Sequence, residues 1–179
     1  PPLRIDEPTM RMTFAANSSP FSGKEGTLLT AQKIQNRLYE ESQRDVSMKF
    51  DIDHTDQSFV VTGRGELHLS VLIETMRREG FEMQVSKPQV IIKVIDGVEC
   101  EPFEDLQIDV PDEYAGAVMQ LVGNRSAETI NMTSENGQTR LVYVIPSRGL
   151  ISFMNQFMTA TKGYGIINHS FKEYRPKIN

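Results

Sequence analysis

The stretch Leu106-Gln-Ile-Asp-Val-Pro-Asp-Glu-Tyr-Ala-Gly-Ala-Val-Met-Gln-Leu-Val122 changes its hydrophobic period part-way along. In its first five residues apolar and polar side chains alternate, which is the period of a strand with one buried face. After Pro111 the apolar side chains recur at helical spacing, at Ala115, Val118, Met119 and Val122. Proline is favoured in the first turn of a helix, so Pro111 marks the change. The stretch therefore predicts a strand followed directly by an amphipathic helix.

The residues after this helix predict two strands, a second helix and a final strand. Ile130 and Met132 lead through the turn formers of residues 135–138 into a strand over residues 141–145. A helical stripe ending before Gly163 follows, made of Leu150, Met154, Phe157, Met158 and Thr161. A last strand is predicted over residues 166–174. The order strand-helix-strand-strand-helix-strand is that of the ferredoxin-like fold.

The first half of the chain repeats this order. Alternation from Thr9 predicts a strand, an apolar stripe through Ile34 predicts a helix, and residues 46–52 and 58–62 predict a hairpin. A second helix stops at Gly80, a residue typical of helix ends, and a strand follows. The sequence therefore predicts an α+β fold of two tandem ferredoxin-like (βαββαβ) domains with antiparallel sheets, residues 1–97 and 98–179.

The composition is that of an ordinary globular protein, with 39% hydrophobic and 24% charged residues among 179. Cys100 is the single cysteine and cannot form an internal disulfide. The sequence has neither a charged-then-apolar leader nor an apolar run of about 18 residues. We therefore expect a cytoplasmic chain with no membrane partner.

The charge of the chain is unevenly distributed. The total is −5, but residues 98–135 carry nine acids and one base, Arg125, whereas residues 136–179 carry six bases and one acid. Two interpretations are open. The basic and acidic elements neutralise each other in the fold, or the basic stretch forms a local contact surface for a polyanion.

Sequence motifs for catalysis, nucleotides and metals are missing. Residues 17–26 lack the first glycine and the Lys-Ser/Thr pair of a phosphate loop, and Gly63-Arg-Gly65 lacks the third glycine of a dinucleotide site. The three histidines have no cysteine or carboxylate at ligand spacing. We expect no catalytic residue, no metal and no cofactor in this chain. Residues 17–26 are either a plain connection or a loop that cradles an anion.

Several motifs carry a family resemblance. Gly63-Arg-Gly-Glu-Leu-His-Leu69, followed by Glu79-Gly80-Phe81, resembles the third domain of translational GTPases such as elongation factor G. The second half resembles their fifth domain. Pro146-Ser-Arg-Gly-Leu150, Phe157-Met-Thr-Ala-Thr161 and Gly165-Ile-Ile-Asn-His-Ser-Phe171 resemble the BipA/TypA branch in particular.

The resemblance implies an interior piece of a ribosome-associated GTPase that is linked to stress response and ribosome assembly. A GTPase domain and a barrel domain would precede residue 1, and GTP and Mg²⁺ would bind in that missing GTPase domain. The implied partners of the chain are the ribosome, mainly its large-subunit RNA, and those two domains of the parent chain.

Carried onto this sequence, the resemblance implies two sets of site residues. The candidates for RNA contact are Arg148, Lys162, His169 and Lys172. The candidates that face the nucleotide domain are Ser18, Ser19, Ser22, Gly23, Lys24 and Arg64. For Arg148 the alternative is a salt bridge to one of the acids in residues 98–135.

Two other functions remain open from the residues alone. A small-ligand regulatory module built from paired ferredoxin-like domains would need an effector pocket. A small phosphatase on this fold would need an anion loop with an arginine, and residues 17–26 contain only Lys24.

Overall fold

The computed structural model describes residues 8–16 and 24–177. The chain forms two compact units, Pro1–Gln89 and Val90–Asn179, and contains two antiparallel sheets. Within the described ranges no helix has both the length and the apolar character needed to cross a membrane.

The first unit follows the predicted order of elements. These are β1 (Met10–Ala16), α1 (Lys24–Arg44), β2 (Lys49–Asp53), β3 (Ser58–Gly63), α2 (Glu66–Arg78) and β4 (Met83–Val85), with a short β5 (Gln89–Val90) beside β1. The sheet runs β2-β3-β1-β4, and these pairings are antiparallel. This is the strand order of a ferredoxin-like domain.

The core of the first unit forms where the sequence alternates. Met10, Met12 and Phe14 of β1 are buried while Arg11 between them is exposed. Both helices contribute a buried stripe, made of Ala31, Ile34 and Leu38 from α1 and Leu69, Leu72, Ile73 and Met76 from α2. Burial of these apolar side chains is the main favourable contribution to folding of the unit.

The second unit repeats the arrangement with longer strands. Its elements are β6 (Lys93–Ile95), β7 (Val98–Pro111), α3 (Asp112–Gly123), β8 (Glu128–Glu135), β9 (Gln138–Pro146), a 3-10 helix (Ser147–Leu150), α4 (Phe153–Ala160) and β10 (Ile166–Pro176). The sheet order is β10-β7-β9-β8, with antiparallel pairing throughout. The prediction of two tandem ferredoxin-like domains is confirmed.

Both helices of the second unit pack on one face of its sheet. Leu106 pairs with Tyr143, and Ile108 pairs with Leu141, so these side chains share a face. They join one buried cluster with side chains of both helices, namely Val118 and Val122 of α3 and Phe153 and Phe157 of α4. This is the single-faced core that the strand-to-helix change after Pro111 predicts.

A tight hairpin lies where the sequence predicted the domain boundary. Ile95 pairs directly with Val98, and the two residues between them, Asp96 and Gly97, have φ angles of 52° and 79°. A two-residue hairpin turn of this kind needs positive φ at both positions, which asparagine, aspartate and glycine tolerate best. Residues 93–95 therefore belong to the second sheet, and the compact units divide earlier, between residues 89 and 90.

The helix predicted from Leu150 is two elements in the structure. Ser152 has a left-handed φ of 62°, which separates the 3-10 helix from α4. A residue in this conformation ends a right-handed helix because it cannot continue the hydrogen-bonding pattern. The expectation of one continuous helix was wrong at this point.

Candidate functional site

The glycine-rich motif of the first unit forms a tight turn from β3 into α2. A Cβ on Gly63 would lie 2.8 Å from both His68 Nδ1 and Leu69 Cδ2, so only glycine fits there. The Arg64 N–H donates to His68 Nδ1 at 3.0 Å, and Thr9 Oγ1 donates to the Arg64 carbonyl at 3.0 Å. Hydrogen bonds therefore hold both the N–H and the carbonyl of Arg64, while the Arg64 side chain is exposed.

His68 links this turn to the end of α1. Its Nδ1 accepts from Arg64, so its Nε2 carries the proton and donates to Asp45 Oδ2 at 2.5 Å. Burial raises the pKa of Asp45, but hydrogen bonds from His68 and from the Ser47 N–H outweigh that effect and hold the pKa below its usual value. The histidine of the motif is thus a structural connector.

A buried arginine that the sequence analysis did not single out lies nearby. Arg37 donates to Glu79 through Nε at 2.6 Å and Nη2 at 3.2 Å, and to Glu41 through Nη1 at 2.9 Å. The hydrogen bond that Arg37 donates to Glu79 is the largest cause of its raised pKa. The spacing of Arg37 and Glu41 was visible in the sequence, whereas Glu79 is brought to them by α2.

These charged groups line a small cavity between α1 and α2. Its volume is about 200 Å³, and Arg37, Glu41, Asp45 and His68 contribute its ionisable lining. Each of these four side chains already has a partner in the fold. Among the residues that the structure describes, no group of three potential ligands is placed to hold a metal ion.

Most of the candidates for contact with a nucleotide domain lie outside the described residues. This is so for Ser18, Ser19, Ser22 and Gly23. Lys24 is the first residue of α1, and Arg64 lies at the turn described above. Their assignment stays a prediction.

Arg148, the first RNA-contact candidate, forms the salt bridge that was the alternative. It lies in the 3-10 helix, and its Nε donates to Glu101 Oε1 at 2.8 Å. The Glu101 side chain is 1% exposed and that of Arg148 is 36% exposed. Arg148 therefore neutralises a buried carboxylate while part of its side chain remains accessible.

Two more of the RNA-contact candidates have acidic partners on the same strand. His169 Nδ1 lies 2.7 Å from Glu104 Oε1, and Lys172 Nζ lies 3.7 Å from Asp105 Oδ1. With Glu101, these acids occupy residues 101–105 of β7. Arg148, His169 and Lys172 thus each pair with an acid of β7, and the Arg148 and Lys172 pairs support mutual neutralisation of basic and acidic elements.

Lys162 stands apart from this group. It follows α4 and is exposed, with a left-handed φ of 52°. Gly163 beside it also has positive φ, so the chain turns sharply here before β10. The exposed Tyr164 comes next and stacks on Tyr114 with ring centroids 6.3 Å apart. Lys162 therefore lies in an exposed turn, two residues before a tyrosine of this stacked pair.

Arg125, the lone base of residues 98–135, organises the connection after β9. Its Nη1 donates to the carbonyls of Gly149 at 2.6 Å and Ile151 at 3.1 Å, and its Nη2 donates to Gln156 Oε1 at 2.9 Å. Its guanidinium also lies over the Phe153 ring, 5.1 Å from the centroid. Sequence reasoning noted this arginine only as a charge.

The comparisons with known protein families agree with this fold. Residues 26–87 match the family described as Elongation Factor G, domain III, and residues 98–177 match Elongation factor G C-terminus. Together with the two ferredoxin-like units, these matches define the class: the chain is a part of an elongation factor G-like protein.

The relatives specify the family. The chain is 55% identical over 177 residues to "Large ribosomal subunit assembly factor BipA" of Bacillus subtilis (strain 168), which is 98% of this chain and 29% of that protein. It is 49% identical to the proteins of that name from Synechocystis sp. over 98% of the chain and Escherichia coli (strain K12) over 97%. The chain belongs to the BipA family, and it spans about 30% of the length of these curated relatives.

Proposed function

We propose that this chain is the non-catalytic, ribosome-contacting part of a BipA-type translational GTPase that acts in assembly of the large ribosomal subunit. The observation that carries the proposal is 49–55% identity over nearly the whole chain to proteins named for that role. Identity at this level extends over both ferredoxin-like units, so the proposed role rests on the pair rather than on one domain.

The chemistry of the parent protein would lie outside this chain. GTP and Mg²⁺ would be bound by a GTPase domain, with a barrel domain beside it, and this chain would relay the state of that GTPase domain to the ribosome. Action in the cytoplasm and in the stress response belongs to the same proposal. The supporting fact is that the chain spans only 29–30% of its relatives.

The proposed RNA contact is through Arg148, Lys162, His169 and Lys172. Residues 136–179 carry six bases and one acid, which favours contact with phosphates. Because three of these residues already pair with acids of β7, RNA would be contacted by the outward part of each side chain. Lys162 would contribute without such competition from the β7 acids.

A chimera tests the proposal in a working protein. The corresponding segment of the Bacillus subtilis relative is replaced by this chain, and ribosome profiles are recorded on sucrose gradients in a strain that lacks the native gene. We expect the chimera to restore the mature large subunit where loss of the gene depletes it. A correctly folded, expressed chimera with the profile of the deletion strain would overturn the proposed function.

A further inference from the structure

A cavity of the second unit brings two arginines to one surface opening. Its volume is about 370 Å³, and it is lined by Leu121, Asn124, Arg125, Arg148, Gly149 and Gln156. These residues come from the end of α3, the segment after it, the 3-10 helix and α4. The second unit alone therefore builds this cavity.

Both guanidinium groups are held in place before any ligand binds. Arg125 is fixed by two main-chain carbonyls, by Gln156 and by the Phe153 ring. Arg148 is fixed through its Nε by Glu101, which is buried. Side chains that are already ordered lose little conformational entropy on binding, so they bind a ligand at lower cost.

Gly149 allows the 3-10 helix to lie against the segment that carries Arg125. A Cβ at Gly149 would lie 2.8 Å from the Arg125 carbonyl oxygen and 3.0 Å from Ile145 Cδ1. Glycine is therefore needed for the close approach that places Arg148 and Arg125 at the same cavity.

The lining has the chemistry of an anion site. Among the described residues that line the cavity, two are cationic, two carry carboxamides and none is acidic. Arginine is suited to phosphate because its planar group offers several N–H donors in a fixed geometry.

We propose that this cavity binds a backbone phosphate of RNA, with Arg125 and Arg148 as the phosphate-binding residues. The inference rests on the proposed ribosomal function and adds a defined subsite to it. It also brings in Arg125, which the family resemblance did not indicate as an RNA contact. Arg148 would then have two roles, neutralising Glu101 and donating to the phosphate.

The test variant is Gln156→Glu, with Asn131→Asp as its matched control. Glutamate keeps the oxygen that accepts from Arg125 Nη2, so the fold is retained, but it places a negative charge in the cavity lining. Asn131 is exposed on β8, and aspartate there keeps the oxygen that accepts from the Met132 N–H. Both variants change the net charge of the chain by the same amount.

Cosedimentation with purified large ribosomal subunits is the first measurement. We expect Gln156→Glu to bind about tenfold more weakly and to lose about one unit of salt slope, as for one phosphate contact, while Asn131→Asp binds as wild type does. If wild type binds and Gln156→Glu binds equally well, the phosphate site is wrong and the proposed function stands.

The second measurement follows the arginine Nε–Hε NMR signals as a short single-stranded RNA is added. We expect the Arg125 and Arg148 signals to move in wild type and to stay in place in Gln156→Glu. This result would uphold the site even if wild type failed to bind ribosomal subunits. If the wild-type signals did not move, the RNA proposal would be overturned. If, in addition, Gln156→Glu still weakened binding to ribosomal subunits, the cavity would be assigned to an acidic protein partner. An equal response to inorganic phosphate at matched phosphate concentration would overturn it in favour of a free-phosphate site.

Discussion

Arg148 Nε donates to Oε1 of Glu101 at 2.8 Å, across 47 positions of sequence, and the Glu101 side chain is only 1% exposed. A buried carboxylate is costly unless charged or polar groups satisfy it. The pair therefore ties the 3-10 helix after β9 to β7, and the same guanidinium lines the cavity proposed as a phosphate site. Arg148 therefore stabilises the fold through Glu101 and also lines the proposed phosphate site.

The first prediction concerns this pair. Arg148→Ala removes a partner of a buried carboxylate and should lower the free energy of unfolding by about 1–3 kcal/mol. The control is Arg140→Ala, because Arg140 is more exposed and bonds Asp109 near the surface. We expect a smaller loss in the control, measured by urea unfolding of the whole chain. Equal losses in the two variants would show that burial of Glu101 does not strengthen its salt bridge with Arg148.

The second prediction is a pH dependence in the first unit. The hydrogen bond from Arg37 holds the pKa of Glu79 below its usual range. Because the folded pKa is the lower one, the stabilisation is present above the unfolded pKa of about 4.3 and is lost as the pH falls through the folded value. Glu79→Gln should therefore lose less stability than wild type on acidification from pH 6.

A double mutant provides the control for that experiment. In an Arg37→Met background, Glu79→Gln should change the pH profile of urea unfolding much less, because the main group that lowers the Glu79 pKa is gone. A Glu79→Gln effect of the same size with and without Arg37 would assign the pH dependence to other carboxylates.

The third prediction uses two glycines of the second unit. A Cβ on Gly165 would lie 2.2 Å from Cζ of the buried Phe157 ring, so Gly165→Ala should cost about 1–3 kcal/mol by overpacking the core. Gly116 lies in α3 with open space around its Cα, so Gly116→Ala should stabilise the chain by about 0.5–1 kcal/mol. Thermal unfolding of the two variants should show melting temperatures shifted in opposite directions.

Much of the fold was predictable because the spacing of apolar residues distinguishes strands from helices directly. The alternation of Met10, Met12 and Phe14 and the helical stripe of α2 both became buried faces of the predicted elements. The errors lie at turns. At Ser152 a left-handed residue divides the helix that the apolar spacing predicts to be continuous. The Asp96-Gly97 pair, a recognised hairpin signal, joins residues 93–95 to the second sheet.

The candidate sites were less predictable because their partners are distant in sequence. The salt bridge of Arg148 depends on the pairing of β7 with β9. The pattern of charges in the sequence does not specify which acidic residue becomes the partner of Arg148. Arg125 was harder still, since two of its acceptors are main-chain carbonyls, which leave no signal in residue type. The exposed contacts that the family resemblance implies stay predictions that only binding experiments test.

The last prediction separates RNA contact from stability at Lys162. This residue is exposed and has a left-handed φ of 52°, a conformation that glycine adopts without the cost borne by other residues. Lys162→Gly should therefore keep or raise stability, by at most about 1 kcal/mol, because relief of the backbone offsets the greater flexibility of the unfolded chain. If Lys162 contacts an RNA phosphate, the same variant should bind ribosomal subunits more weakly, with a salt slope lower by about one unit. Lys162→Arg is the control and should retain the wild-type slope. A wild-type slope in the glycine variant would remove Lys162 from the RNA-contact set.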